Sequence, residues 1–321
     1  MRRRPSPRRL RRISKSCSER YVVGGMVLTR YSVALGSAIA MVVASPVMAE
    51  AIPERSIAIE RPQQLDGHPV GAQLPIVTLR IGGTSLRFLF DTGASEIVLS
   101  ERTATQLGLS GATTQTGTDS GGVAVAGRYV TGVDIATAEG APLRHVDRVL
   151  AMPLGPLEAL GLAGVIAPQA LAATGCVRVD FRGGVATVAD AGAVACRPLA
   201  KGARVAAPGW RGDGRPHVPV GVGEGADTPF FLVDSGAWRS AIPATAATRL
   251  PRLRTAQSRG VGGKTVTMDI VGPVTLKVGD APQPLPEAAV VEGRTTGVLG
   301  FDLLSGMTLV LHADGAFSIG E

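Results

Sequence analysis

The sequence predicts an all-β protein made of two similar halves with a few short helices. Its 321 residues include 42 Gly and 22 Pro, a composition that favours many short strands joined by turns over long helices. Only 4% of the residues are aromatic, so Val, Leu, Ile and Ala must form most of the core. An internal repeat indicates in addition that one folding unit occurs twice in the chain.

The repeat is clearest in two segments that run from Leu74 to Ser100 and from Val218 to Pro243. Each contains an alternating strand, a glycine-containing turn and an apolar strand that ends in Asp-Thr-Gly-Ala or Asp-Ser-Gly-Ala. A short helical segment follows each of them, SERTATQLGL in the first copy and PATAATRL in the second. Further along the chain, GVIAPQAL in the first copy matches GVLGFDLL in the second.

These matches divide the chain into a first half at 70–197 and a second half at 213–321. Residues 198–212 between them are rich in Gly, Pro and Arg, as expected of a linker. Residues 50–69 are predicted to be an N-terminal extension that precedes the first half.

Residues 1–49 have the composition of a signal peptide. They contain ten of the 33 basic residues but one of the 26 acidic residues, followed by the apolar stretch SVALGSAIAMVVASPV and a small-x-small cleavage pattern that ends at Ala49. We expect cleavage after Ala49 and a periplasmic or secreted protein; Met26 is an alternative start. An uncleaved anchor is the other alternative, and the membrane would then be a partner through this leader alone, although the stretch is short for a span. Outside the leader, 23 basic and 25 acidic residues nearly balance. The chain after the leader therefore lacks the excess of positive charge that is typical of nucleic-acid-binding proteins.

Two cysteines, Cys176 and Cys196, remain after the leader with Cys17 is removed. An even number of cysteines in an exported chain indicates a disulfide. The segment between them reads as a hairpin that turns at Gly183 and Gly184, which would bring its two ends together. The alternative is a pair of unbonded buried thiols.

FLFDTGASEIVL and FLVDSGAWRSAI resemble the active-site segments of aspartic proteases of the pepsin and retropepsin type. GVLGFDLL resembles the hydrophobic-hydrophobic-glycine element that such proteins place beside the catalytic loop, so the resemblance covers most of the chain after the leader. It implies two retropepsin-like β-barrel halves, as in pepsin-like acid proteases, with Asp91 and Asp234 as the catalytic pair. The residues expected to support the catalytic loops are Thr92, Gly93, Ser235 and Gly236.

The chemistry of such a site explains why a carboxylate follows a buried strand. Two aspartates held close together cannot both ionise, so the pair shares one proton, as is established for aspartic proteases. One carboxylate then takes a proton from a water molecule that attacks the peptide carbonyl, while the other carboxyl protonates it. The resemblance thus implies an aspartic endopeptidase that acts on a polypeptide and needs neither cofactor nor metal.

Two positions depart from the family pattern. Trp238 stands where a small or polar residue is usual, and we expect it to pack at the seam between the halves. Ala167 stands where the first half should have a glycine. Because both changes could impair the cleft, a catalytically inactive retropepsin-like peptide-binding protein is the alternative function. Ala94 and Ala237 lack the hydroxyl that strongly acidic relatives carry, which predicts a pair that titrates higher and a weakly acidic to neutral pH optimum.

Two glycine-rich segments, 118–127 and 259–267, stand where each half would place a flap over the substrate. A mobile hairpin there would exclude water and hold an extended peptide through main-chain hydrogen bonds. The tentative substrate-binding residues are Gly121, Gly122, Gly262 and Gly263. A plain surface hairpin is the alternative for both segments.

Other chemistries fit the sequence less well. TDSGG resembles the nucleophile segment of trypsin-like serine proteases, but the upstream His68 lacks a fitting context. SRGVGGKT resembles a phosphate-binding loop, but Ser258 stands at its first glycine. The four histidines show no ligand spacing, and the scarcity of aromatic residues disfavours a carboxylate-pair glycosidase. The predicted partner is therefore a polypeptide, with no metal and no nucleic acid.

Overall fold

The computed structural model describes residues 54–70, 74–111, 113–118, 124–172, 174–206, 214–225, 228–260 and 264–321. All of these residues belong to one compact unit, Glu50–Glu321. The predicted leader, 1–49, lies outside the described residues, as do the predicted flap glycines Gly121, Gly122, Gly262 and Gly263.

Short strands make up most of the first half. They are β1 (Arg55–Glu60), β2 (Gln64–Leu65), β3 (His68–Pro69), β4 (Ile76–Ile81), β5 (Thr84–Phe90), β6 (Val98–Ser100), β7 (Thr113–Thr118), β8 (Ala124–Thr137), β9 (Pro142–Met152), β10 (Gly164–Ile166), β11 (Cys176–Asp180) and β12 (Val185–Ala189). The helices are short: α1 (Glu101–Gln106), α2 (Gly155–Ala159) and two 3-10 helices, Pro168–Leu171 and Val194–Cys196. Ser100 caps α1, because its side chain accepts a hydrogen bond from the amide of Thr103.

The linker and the second half continue the same pattern. Their strands are β13 (Ala203–Val205), β14 (His217–Val222), β15 (Phe230–Val233), β16 (Ala241–Pro243), β17 (Arg252–Arg259), β18 (Thr265–Val271), β19 (Val274–Val278), β20 (Ala281–Leu285), β21 (Ala288–Val291), β22 (Gly297–Leu299), β23 (Thr308–His312) and β24 (Phe317–Gly320). Two short helices, α3 (Ala244–Ala247) and α4 (Phe301–Leu304), interrupt them. The predicted all-β class with a few short helices is confirmed.

Strand order confirms that the two halves share one plan. In the first half β8 pairs with β4, which closes the barrel β4-β5-β10-β6-β9-β8, and β7 pairs with the outer side of β8. The second half repeats this order as β14-β15-β22-β16-β21-β18, with β17 outside β18. No closing pair joins β14 to β18 among the described residues, so the second half is a half-barrel.

A common sheet joins the halves. Strand β11 of the first half pairs with β23 of the second half over five residues. The N-terminal strand β1 lies between β12 and β4, so part of the predicted N-terminal extension is a strand of this sheet. In the predicted linker, β13 pairs with β24 at the other edge. The halves therefore form a single hydrogen-bonded body.

One apolar core runs through both halves. Alternate residues of β4, Val77, Leu79 and Ile81, are buried in it, as the two-residue period of a strand requires. The rings of Phe181 and Phe301, one from each half, meet edge to face with their centroids 5.4 Å apart. Burial of these apolar groups holds the halves against each other. Within the described part of the chain, no helix is long and apolar enough to cross a membrane.

Cys176 and Cys196 form a disulfide with their Cα atoms 5.5 Å apart. The bond links the first residue of β11 to the 3-10 helix that follows β12, and both cysteines are buried with Leu199 and Val310. It thus ties the start of the linker to the common sheet.

Removal of the disulfide should lower the free energy of unfolding by about 3 kcal/mol, because the bond closes a loop of 20 residues in the unfolded chain. The measurement is urea unfolding of the Cys176→Ala/Cys196→Ala variant beside the wild type, each with and without a reductant. We expect the reductant to destabilise the wild type and to leave the variant unchanged. A wild type that is insensitive to the reductant after unfolding and refolding would contradict this.

Candidate active site

The two Asp-containing loops have the same backbone geometry. Asp91 follows β5, which lies parallel to β10, and the amide of Asp91 donates to the carbonyl of Ile166 at 2.9 Å. Asp234 follows β15, which lies parallel to β22, and its amide donates to the carbonyl of Leu299 at 3.0 Å. Each aspartate is thus held at the end of a buried strand by the later apolar element of its own half.

The hydroxyls of Thr92 and Ser235 lock the two loops together. The Oγ1 of Thr92 donates to the carbonyl of Val233 at 2.7 Å and accepts from the amide of Ser235 at 3.0 Å. In return, the Oγ of Ser235 donates to the carbonyl of Phe90 at 2.7 Å and accepts from the amide of Thr92 at 3.0 Å. Both side chains are fully buried. Four reciprocal hydrogen bonds therefore fix the position of one loop against the other.

The glycine after each hydroxyl residue makes room for the opposite carboxyl group. A Cβ atom at Gly93 would lie 2.4 Å from Cγ of Asp234, and one at Gly236 would lie 2.5 Å from Cγ of Asp91. Each carboxyl group also lies close enough to the other to shift its pKa. Both retain some solvent exposure, so the pair can be reached by a water molecule or a substrate.

Hydrogen bonds from the backbone distinguish the two carboxyl groups. The Oδ1 of Asp91 accepts from the amide of Gly93 at 2.7 Å and from the amide of Gly236 at 3.2 Å. The Oδ1 of Asp234 accepts from the amide of Ala237 at 2.9 Å. Asp91 thus receives amide hydrogens from both loops, which favours its ionised form.

The pKa values of the two groups are raised unequally. Burial is the main cause for Asp91, whose pKa rises above 3.8 although hydrogen bonds from Asp234 and from backbone amides oppose the rise. Burial also raises the pKa of Asp234, and the charge of Asp91 adds to the effect, so that this pKa lies well above 3.8. Because Asp91 accepts amide hydrogens from both loops, its ionised form is favoured, and Asp234 is the better holder of the shared proton.

Two residues that support the loops were not singled out from the sequence. The buried Gln169 donates through Nε2 to the carbonyls of Thr92 and Ala94, at 3.3 and 2.5 Å. Asp302, at the same place in the second half, accepts from the amide of Ser240 at 2.8 Å and from its hydroxyl at 2.7 Å. Their shared offset in GVIAPQAL and GVLGFDLL was the available signal.

Ala167 leaves the first loop in place. A Cβ atom at its counterpart Gly300 would lie 2.3 Å from the backbone carbon of Arg239, so the second half needs a glycine there. In the first half the methyl group of Ala167 is fully buried, and the hydrogen bonds between the loops remain intact. The alanine therefore leaves the geometry of the carboxyl pair intact.

The prediction that Trp238 packs at the seam is wrong. Its side chain is 41% exposed, and the guanidinium group of Arg239 lies over its ring, 4.3 Å from the centroid. The backbone explains this position, because the carbonyls of Ala237 and Trp238 accept hydrogen bonds from Phe301 and Asp302. These contacts fix the main chain and leave the indole ring at the surface beside the Asp234 loop.

The predicted flaps are hairpins at their described ends. Strand β7 pairs with β8 from Thr113 to Thr118, and β17 pairs with β18 from Arg252 to Arg259. The turns between the strands lie outside the described residues.

The histidines do not form a site. His145 lies at the surface with its Nδ1 2.6 Å from Asp134 Oδ1, and this hydrogen bond raises the pKa of His145. His217 is buried, with its Nδ1 2.9 Å from the carbonyl of Arg215. In the described part of the chain, no three His, Cys, Asp or Glu side chains are grouped as ligands of a metal ion.

A family described as aspartyl protease matches the chain twice, at residues 77–164 and 218–303. The two matches together cover more than half of the chain, one in each half. Each contains a loop with its aspartate and reaches the start of β10 or the end of α4. No curated protein is similar enough to the chain to count as a match.

A methyl group at Gly93 or Gly236 should destabilise the protein by about 1–3 kcal/mol, because it would overlap the carboxyl group of the opposite loop. Thermal and urea unfolding of Gly93→Ala and Gly236→Ala measure the effect. Gly306→Ala is the matched control, since a Cβ atom there meets nothing within 4 Å. Equal stability of all three variants would show that the loops are farther apart than described.

The pair should make wild-type stability fall as the pH rises. The folded state keeps the proton of Asp234 at a pH at which the unfolded chain, with a pKa near 3.8, has released it. The contribution of the pair to stability is therefore greatest below about pH 4 and declines towards the folded pKa. Asp234→Asn keeps a hydrogen-bond donor and loses this titration.

Urea unfolding at pH 4, 5.5 and 7 provides the test. We expect the stability of Asp234→Asn relative to the wild type to increase at each step. The exposed Asp280→Asn supplies the baseline for an aspartate at the surface. A difference that stays constant or shrinks with rising pH would mean that Asp234 releases its proton as readily as an exposed aspartate.

Proposed function

Because the chain belongs to the aspartyl protease family, we propose that it is an aspartic endopeptidase in which Asp91 and Asp234 activate a water molecule. The observation that carries this proposal is the pair itself. Two adjacent carboxyl groups with raised pKa values are held across two locked loops, and both residues retain some solvent exposure. Such a pair offers one base and one acid at the same place.

The unequal protonation assigns the two roles. Asp91, the ionised member, takes a proton from the water while the water oxygen bonds to the carbonyl carbon of the peptide. Asp234 gives its proton to the carbonyl oxygen, which yields a tetrahedral diol. Collapse of the diol breaks the C–N bond, with the nitrogen receiving a proton from Asp91 and Asp234 regaining one from a hydroxyl of the diol. The pair ends in its starting protonation state.

A polypeptide in extended form is the proposed substrate. The carboxyl groups lie between the two halves, and each half has a β-hairpin, β7–β8 or β17–β18, at one edge of its sheet. Strands at sheet edges have unpaired backbone groups that can bind an extended chain. The catalytically inactive alternative would use the same surfaces, but the intact geometry of both loops favours hydrolysis.

We further propose that the protein works in the periplasm or outside the cell. The basic leader with its apolar core supports export. The disulfide between Cys176 and Cys196 supports an oxidising compartment, where such bonds persist. Fractionation of cells that produce the full chain, with sequencing of the N-terminus of the exported form, tests the expected cleavage after Ala49.

Hydrolysis should depend on both aspartates and follow a bell-shaped pH profile. Residues 50–321 are incubated with a denatured protein from pH 3 to pH 8, beside Asp91→Asn and Asp234→Asn. Each variant should lose at least about 100-fold in rate. In the wild type, activity should fall at low pH as Asp91 becomes protonated and at high pH as Asp234 loses its proton. Because both pKa values are raised, the maximum should lie in the weakly acidic to neutral range.

Asp280→Asn at the surface is the matched control and should keep the wild-type rate. Cleavage that survives either substitution in the pair would contradict the mechanism, and activity confined to pH below about 3 would contradict the raised pKa values. An intact substrate at every pH, together with measurable peptide binding, would support the inactive peptide-binding alternative.

A further inference from the structure

A groove of about 450 Å³ lies on the common sheet, away from the two Asp-containing loops. It is lined by residues of β11, β12, the 3-10 helix Val194–Cys196 and the start of the linker. The lining side chains include Glu54, Arg178, Thr187, Val194, Arg197 and Leu199. A volume of this size is within the range of ligand-binding sites.

The groove faces away from the main core. Val177 and Val179 of β11 are buried in that core, together with Phe90 and Val233, the residues that precede the two aspartates. Because successive side chains of a strand point to opposite faces, Arg178 lies on the other face of the sheet. A ligand in the groove would therefore bind at a surface separate from the carboxyl pair.

The segment that forms one side of the groove is fixed to the sheet at two points. Cys196, the last residue of the 3-10 helix, is bonded to Cys176 of β11. Three residues later, the amide of Leu199 donates to the Oγ of the buried Ser318 at 3.1 Å. The groove is thus formed before any ligand binds, which lowers the entropic cost of binding.

Two arginine side chains line the groove without a protein partner. Arg178 is half-buried and Arg197 is exposed. Within the part of the chain that the structure describes, neither guanidinium group forms a hydrogen bond or an ion pair. Elsewhere in the fold, arginines such as Arg128 and Arg239 are paired with a carboxylate. Guanidinium groups whose donors are all unused favour an anionic ligand that supplies acceptors.

The other lining groups narrow the class of anion. Glu54 is the single acidic side chain of the lining, and its Oε1 accepts from the amide of Ala195 at 3.4 Å. Apolar surface lies beside the charges, since Val194 is 67% exposed and Leu199 also lines the groove. An inorganic anion would leave this apolar surface in water. A peptide that carries both acidic and apolar side chains would cover it.

We propose that this groove is a second polypeptide-binding site, which recognises an acidic segment through Arg178 and Arg197 and packs a neighbouring apolar side chain against Val194. Carboxylates of the segment form the paired hydrogen bonds that guanidinium groups favour. The site goes beyond the proposed function, because binding here requires no hydrolysis. In an endopeptidase it would retain substrates that carry an acidic segment remote from the cleaved bond, and so raise their effective concentration at the carboxyl pair.

Binding of the labelled peptide Ala-Glu-Leu-Glu-Ala tests the site by fluorescence anisotropy at pH 7. The protein is residues 50–321 with Asp234→Asn, so that the probe is not consumed. Arg178→Gln and Arg197→Gln should each weaken binding by about tenfold, since each removes a charged donor. The same loss is expected for a peptide with Gln in place of both Glu. Glu54→Gln should strengthen binding by about twofold or more, because it removes a like charge beside the ligand.

Arg249→Gln is the matched control, because Arg249 is an exposed arginine of the second half and its loss changes the net charge by the same amount. It should leave the affinity unchanged, which separates the groove from the overall charge of the protein. Since a change at the half-buried Arg178 could perturb β11, the variant of the exposed Arg197 keeps the test decisive. An affinity that neither variant lowers would overturn the site.

Two competing occupants are distinguished in the same assay. Inorganic phosphate that displaces the peptide at a similar concentration would show a general anion site and reject the peptide. Binding that occurs only after residues 50–53 are removed would assign the groove to the N-terminus of the chain itself and also reject the proposal. Peptide binding that depends on Arg197 supports the site even if the wild type hydrolyses no protein, so the two proposals can fail separately.

Discussion

The reciprocal hydrogen bonds between Thr92 and Ser235 are the constraint on which the site depends. Each hydroxyl is fully buried and bonds only to backbone groups of the opposite loop. If one half were displaced, both hydroxyls and the backbone groups they contact would lose their partners in an apolar environment, at a cost of about 1–3 kcal/mol each. The carboxyl pair therefore forms only when the two halves are docked. Its geometry depends on the whole fold.

The fold keeps the two halves docked by joining them in several independent ways. Strands β11 and β23 pair across the boundary, the apolar core is continuous, and the disulfide fastens the start of the linker to the same sheet. These interactions lie far from the loops in sequence. They offset the free energy by which the carboxyl pair destabilises the folded state. Two buried carboxyl groups with raised pKa values destabilise the folded state at neutral pH. The rigid sheet thus stabilises an arrangement that the loops alone would not keep.

Local sequence was sufficient to predict the parts of this site that repeat. Asp91, Thr92 and their counterparts stand at matching offsets, and the duplicated strands around them were visible as alternating patterns. Interactions that depend on tertiary register were not predictable in this way. Nothing in the sequence of β1 indicates that it lies between β12 and β4, because the pairing of strands remote in sequence is set by the shape of the finished sheet.

Tertiary contacts also explain the environments of three single residues. Gln169 braces the first loop because the 3-10 helix that carries it lies directly behind Thr92. Ala167 is tolerated, since its methyl group is fully buried while the hydrogen bonds between the loops stay intact. Trp238 is exposed because its carbonyl is tied to α4 while its ring faces outward. In each case the environment of the residue depends on segments that are remote in sequence. The type of the residue alone does not determine it.

Duplication within one chain has a chemical consequence that a symmetric pair of identical halves could not provide. In a symmetric pair every substitution appears on both sides, so the two carboxyl groups must stay equivalent. Here the Asp91 carboxylate accepts amide hydrogens from both loops, which favours the ionised form of Asp91 over that of Asp234. The same freedom allowed Leu150 and Ala289 to diverge at equivalent positions. The surroundings of the two carboxyl groups therefore differ before any ligand arrives.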